Sequence, residues 1–211
     1  MNVDPLDATL AEHGLFVMGR VKEDQATCVL IGAGPTMWPI FQASQEYKTK
    51  VKDPLDTWSK RILQGLARSW DANAVFPSDG PPYLPFIAWA KATDQFWDSP
   101  TGMMIHHRAG LMISIRGALQ FKRPIPAPDL ALNSPCISCD SRACEHACPV
   151  GALSPDAAYD VPTCKTHISS SAGASCLGGG CLVRRACPVS QDFGRDPNQS
   201  AFHMRAFIGT H

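Results

Sequence analysis

Residues Cys136–Leu153 read CISCDSRACEHACPVGAL. Cys136, Cys139, Cys144 and Cys148 fall within thirteen residues, and Pro149 follows the last of them. Thiols at this density either ligate metal or pair as disulfides, and the redox compartment decides between the two. The N-terminal MNVDPLDATLAEHG has no basic stretch and no apolar core of a secretory signal. No apolar run is long enough to span a bilayer. The expectation is a cytoplasmic protein with no membrane partner, in which clustered cysteines mean metal.

The rest of the chain sets that stretch apart. Only Cys28 lies in the first 135 residues, while the other eight cysteines lie between Cys136 and Cys187. A proline-rich link, KRPIPAPDL (Lys122–Leu130), precedes them. Together these predict a boundary near residue 130, with one domain over 1–130 and a second over 131–211. The 211 residues are long enough for a real core, and 45% of them are hydrophobic. Nineteen Lys and Arg balance nineteen Asp and Glu, so no basic field points to nucleic acid.

The spacing narrows the chemistry. The first motif is Cys136-x2-Cys139-x4-Cys144-x3-Cys148-Pro149, and a looser second one is Cys176-x4-Cys181-x5-Cys187-Pro188, with Cys164 between them. Two-cluster ferredoxins use C-x2-C-x2-C-x3-C-P, whose fourth cysteine ligates the other cluster. Applied here, that rule assigns Cys136, Cys139, Cys144 and Cys187 to one [4Fe–4S] cluster. Cys148, Cys164, Cys176 and Cys181 then hold the second, and no cysteine after residue 130 is left over. Two four-thiolate zinc sites or free buried thiols are the alternatives. The paired C-P endings, each followed by valine (Val150, Val189), are ferredoxin features. Cys28, alone in an apolar run, reads as a small core residue.

Before the cysteines the pattern mixes helices and strands. Asp4-Pro5 opens a short helix that stops at Gly14, and Leu15–Val21 and Thr27–Pro35 read as strands. Asp53 is the expected N-cap of a helix whose Leu55, Trp58, Ile62, Leu66 and Trp70 share a face. A further helix is predicted over Pro85–Trp97. Gly102–Phe121, GMMIHHRAGLMISIRGALQF, reads as two strands around a turn. The fold class is α+β. The GAGP at Gly32–Pro35 is too short for a dinucleotide fingerprint.

Two resemblances follow from these segments. Residues 131–190 resemble the C-terminal module of epoxyqueuosine reductases, which pair cobalamin with two [4Fe–4S] clusters, although the x4 and x5 gaps depart from the usual x2 and x3. The first region resembles the CblC-type B12-processing chaperones through GPTMWPIF (Gly34–Phe41), DPLDTWSKRIL (Asp53–Leu63) and above all Gly102–Leu119. There Gly102, Ile105, His106, Arg108, Gly110, Ile115, Arg116 and Gly117 match the family's pattern, and His107 stands where it has proline. The resemblance implies a nitroreductase-like domain that binds cobalamin base-off, followed by a small ferredoxin-like domain with two clusters.

The implied activity is reductive removal of the upper axial ligand of cobalamin, cyanide for example, by electrons from the clusters. An external electron donor (a flavoprotein or ferredoxin reductase) and a B12-accepting protein are the implied partners. Ile105, His106, His107, Arg108, Gly110 and Arg116 become candidate cobalamin contacts; no catalytic residue is singled out. The two histidines face cobalt or the corrin rim, or else are turn residues bonded to backbone. Arg108 binds a corrin amide or the nucleotide phosphate, or else forms a surface salt bridge, and Arg116 is either a pocket donor or solvent-exposed. Met103, Met104 and Met112 are expected to pack, as are Tyr83 and Trp89. Two rivals stand: a cobalamin-dependent reductase of an organic substrate, similar to the epoxyqueuosine enzymes, and a ferredoxin-type electron carrier fused to an inert or flavin-binding domain.

Overall fold

The computed structural model describes residues 5–23, 25–126 and 131–209. The expected boundary near residue 130, and Asp4 at the start of the first helix, lie outside them. α1 (Pro5–Ala11) precedes β1 (Leu15–Glu23) and packs on it. β2 (Ala26–Ala33) is ATCVLIGA, buried from Thr27 onward, so both of its faces are covered, as a nearly continuous apolar run requires. Cys28 is a core residue there, 1% exposed.

α2 (Met37–Gln42) and α3 (Gln45–Lys48) lead to α4 (Pro54–Ser69), which lies against β3 (Ala72–Val75) and β6 (Ile115–Phe121). The sheet runs β1-β2-β6-β3, antiparallel throughout. α4 buries Leu55, Trp58, Ser59, Leu63 and Ala67. The expected stripe is therefore rotated, and Ile62, Leu66 and Trp70 are half-buried. Ser59 tolerates burial because its hydroxyl donates to the Leu55 carbonyl at 2.7 Å. Asp53 does not cap with its side chain. It adopts a left-handed conformation (φ 48°) before Pro54, and its carbonyl accepts the Thr57 amide instead.

The helix expected over Pro85–Trp97 is shorter, α5 (Phe86–Lys91). Left-handed Asp94 (φ 55°) interrupts it, and β4 (Phe96–Asp98) follows. Trp89 is buried, whereas Tyr83, expected in the core, is 69% exposed. β5 (Met104–His106) pairs with β4 and not with β6, so the two strands predicted within Gly102–Phe121 exist but do not form one hairpin. The turn between them closes on itself first: His106 and Gly110 exchange backbone bonds at 2.9 Å in both directions.

The chain divides into two compact units. One comprises the described residues up to Gln95 together with Ser114–Leu132, the other Phe96–Ile113 together with Asn133 onward. Segment 96–113, expected in the first region, packs with the cysteine-rich region. That second unit contains α6 (Val161–Ile168), α7 (Ala174–Gly179), α8 (Leu182–Ala186), α9 (Pro188–Phe193) and α10 (Pro197–Ile208), besides β4 and β5. Its core joins Ile105 and Leu111 to Cys144, Leu153, Val183 and Cys187.

Candidate functional site

Short loops and short helices bring the eight cysteines of the second unit into place. The long middle gap of the first motif is taken up by Arg142 in a left-handed conformation (φ 40°) and a 3-10 turn over Ala143–Glu145. Arg142 clamps that turn by bonding Glu145 at 3.0 Å. Cys164 sits within α6, whose first turn is held by Asp160 accepting the Thr163 amide at 2.9 Å. Cys176 lies in α7, and Cys181 and Cys187 stand at the N-terminal caps of α8 and α9. Gly180 (φ 92°) lets the intervening loop lie against Ser200 of α10, where a Cβ would stand 2.5 Å from the serine Cβ.

These elements gather the thiols into two quartets. Cys136, Cys139, Cys144 and Cys187 line one cavity of about 390 Å³, together with Ile105 and Leu111. Cys148, Cys164, Cys176 and Cys181 line a tighter, apolar one of about 20 Å³. Burial raises the thiol pKa of Cys144, and the charges of Cys187, Cys136 and Cys139 raise it further. For Cys136, burial again dominates, Ser134 opposes it, and Cys187 and Cys139 add to it. In the other quartet burial leads for Cys164 and Cys176, and both feel Cys181 and Cys148. Four thiols around one space, two of them buried in the first quartet and one in the second, resist collecting negative charge unless a cationic group binds there. None of the cysteines is in a disulfide.

Each cavity has four thiols and predominantly apolar walls, the kind of donor set an iron–sulfur cluster uses. A single tetrahedral zinc ion needs thiolate sulfurs about 3.8 Å apart, from Zn–S bonds of about 2.3 Å. Among the described residues, no group of three or more His, Cys, Asp or Glu side chains is placed to hold one metal ion. Cys136, Cys139, Cys144 and Cys187 would hold one cluster and the remaining four the other.

The other candidate residues separate. Ile105, His106, His107, Arg108 and Gly110 form one turn in the second unit, whereas Arg116 belongs to β6 of the first. His106 is fully buried, and its Nδ1 accepts the amides of Arg108 (3.2 Å) and Ala109 (3.1 Å). It thus stabilises the turn's backbone. His107 is half-buried and its Nδ1 has no hydrogen-bond partner among the described residues. Burial, then the Arg108 charge, holds its pKa below the usual imidazole range. Near neutral pH it is an uncharged imidazole.

Gly110 (φ 55°) serves close packing. The neighbouring Leu111 amide donates to the Ser190 hydroxyl at 2.8 Å. Arg184 and Arg195 donate to the Leu111 and Met112 carbonyls. No spacing argument marks these three anchors, because each is distant in sequence from the turn it holds. Arg116 donates to Asp56 at 3.2 Å beside a cavity of about 260 Å³ that also includes Phe76 and Ser78. Its side chain is 14% exposed and its Nε lacks a partner among the described residues.

Compared with protein-family models, with curated proteins and with solved structures, the chain matches none. No helix among the described residues is long and apolar enough to cross a membrane.

Proposed function

We propose that the chain is a B12-processing reductase: it binds cobalamin as substrate and removes the upper axial ligand, with electrons supplied by two [4Fe–4S] clusters. The observation that carries this reading is the shared wall of the larger cavity. Ile105, the first residue of the IHHRAG turn, and Leu111, the residue after it, line it together with Cys136, Cys139, Cys144 and Cys187. The segment that resembles the cobalamin family therefore borders the first thiol quartet.

Bound clusters would supply single electrons, over a range of potentials spanning about −700 to +450 mV in proteins generally. The chain's own residues do the rest. The two quartets hold the clusters at fixed positions. Ile105 and Leu111 give the first cluster's cavity an apolar wall. His107 carries an uncharged imidazole whose buried Nδ1 has no partner among the described residues, while His106 fixes the turn that holds it. Added electron density at cobalt weakens its bond to cyanide, which leaves as the anion.

The test is anaerobic incubation of the reduced, cluster-loaded protein with cyanocobalamin, followed by absorbance and EPR. Cob(II)alamin and free cyanide are expected. Failure to bind any corrinoid would sink the proposal.

A further inference from the structure

A buried hydroxyl residue, distant in sequence from the cysteines, lines the cavity of the first quartet. Ser99 lies in the turn between β4 and β5 and borders the same space as Cys136, Cys139, Cys144 and Cys187. It is 6% exposed, and Thr101 in the same turn is 2% exposed. Both backbone groups of Ser99 are occupied within the turn. Its amide donates to the Met103 carbonyl at 2.8 Å, and its carbonyl accepts the Gly102 amide at 2.9 Å. The hydroxyl is thus the polar group of Ser99 left to address the cavity. It stands 3.1 Å from the Thr101 hydroxyl. Two hydroxyls carry two hydrogens, and one bond between them uses one. Ser138, Asp140 and Ser141 also line the cavity, but they are exposed, so water competes for them.

We propose that Ser99, oriented by Thr101, donates its hydroxyl hydrogen to a sulfur of the first cluster and makes that cluster easier to reduce. This rests on the two-cluster reading above. Thr101 donates to Ser99, which leaves the Ser99 hydrogen for the cavity. A buried hydroxyl hydrogen needs an acceptor, and the side chains of Ile105 and Leu111, which line the same space, offer none. Reduction adds one negative charge to a cluster, so a hydrogen bond to its sulfur favours the reduced state. The low dielectric around a buried donor strengthens that bond. Thr101 acts through Ser99 and is a positioning residue. Each reduction takes one electron from dithionite, the reductant in the test. The hydrogen stays on the serine oxygen, and no covalent bond forms or breaks.

The experiment is an EPR-monitored redox titration of the full-length, reconstituted protein, with iron and sulfide counted on every sample. In the C181S background it reads the first cluster alone. There S99A should lower the reduced-to-oxidised ratio at fixed potential at least fivefold, a shift of about 40 mV. S99T, which keeps the hydroxyl, should retain most of the original value, and T101V should shift it as S99A does but by less. In the C139S background, which leaves the second cluster, S99A should move nothing. Loaded S99A with an unmoved or raised first step overturns the proposal, and so does an equal shift in the C139S background. If S99A does not fold, T101V decides on the same terms. Wild-type protein that binds no iron overturns the two-cluster reading instead, and the iron count tells the two failures apart.

Discussion

The Ser190 hydroxyl accepts the Leu111 amide at 2.8 Å, and Ser190 also fills the space that a side chain at Gly110 would need. A Cβ on Gly110 would stand 2.5 Å from the Ser190 amide nitrogen. Its left-handed φ of 55° adds about 1–2 kcal/mol for any L-residue. G110A is therefore expected to lose about 2–4 kcal/mol of stability in a denaturant melt. S190A, which removes one hydrogen bond without a clash, should lose about 1–2 kcal/mol. Equal losses in the two variants would contradict the packing argument.

His106 and His107 should part company on mutation. H106A leaves a buried amide (Ala109) and a part-buried one (Arg108) without their acceptor, at a cost of about 2–4 kcal/mol. H107A removes a half-buried ring with an unpartnered Nδ1 and should change stability by less than about 1 kcal/mol. On the proposed function it should nonetheless weaken cobalamin binding. Melting curves and a spectral titration with cobalamin measure the two effects separately.

Iron content tests the quartets one at a time. Reconstituted wild-type chain should hold about eight iron atoms, and C139S or C181S about half that. C28S should hold the full complement, because Cys28 lies in β2 among core residues. Zinc in place of iron, or equal loss from C28S, would overturn the assignment.

Glu46 and Arg61 give a pH-dependent contribution in the first unit. Arg61 Nε donates to Glu46 at 2.5 Å and Nη2 at 3.1 Å, which holds the carboxyl below its usual pKa. A lowered folded-state pKa contributes stability above the unfolded value, and that stability is lost as pH falls through the folded value. E46Q should thus cost about 1 kcal/mol at pH 7, a modest figure because Arg61 is 55% exposed. The difference should shrink below about pH 4. A gap between variant and wild type that widens on acidification would refute the pairing.

Much of the first unit could be read from apolar patterning: β1 and β2 begin within a residue of where they were expected, and α4 starts at Pro54. The face of α4 could not, because an internal hydroxyl bond makes Ser59 compatible with burial. Which cysteines line a common cavity matches the grouping expected from their order along the chain, whereas their ligation of clusters stays a proposal. The partners of the IHHRAG turn were not. Ser190, Arg184 and Arg195 reach it across more than seventy residues, and no local period records such contacts. The role of His106 was open for a similar reason: the bonds to its Nδ1 depend on a turn shape that composition does not encode.

The path of the chain carries one last consequence. It leaves the first unit after Gln95, contributes Phe96–Ile113 to the second, returns for Ser114–Leu132, and then crosses again. During synthesis the sheet can close once β6 emerges, yet Ile105 and Leu111 must wait for Cys144, Val183 and Cys187 to cover them. A cut at the proline-rich link would therefore not release two self-sufficient pieces. The N-terminal fragment would keep an apolar loop with nothing to bury it, and would be prone to aggregate.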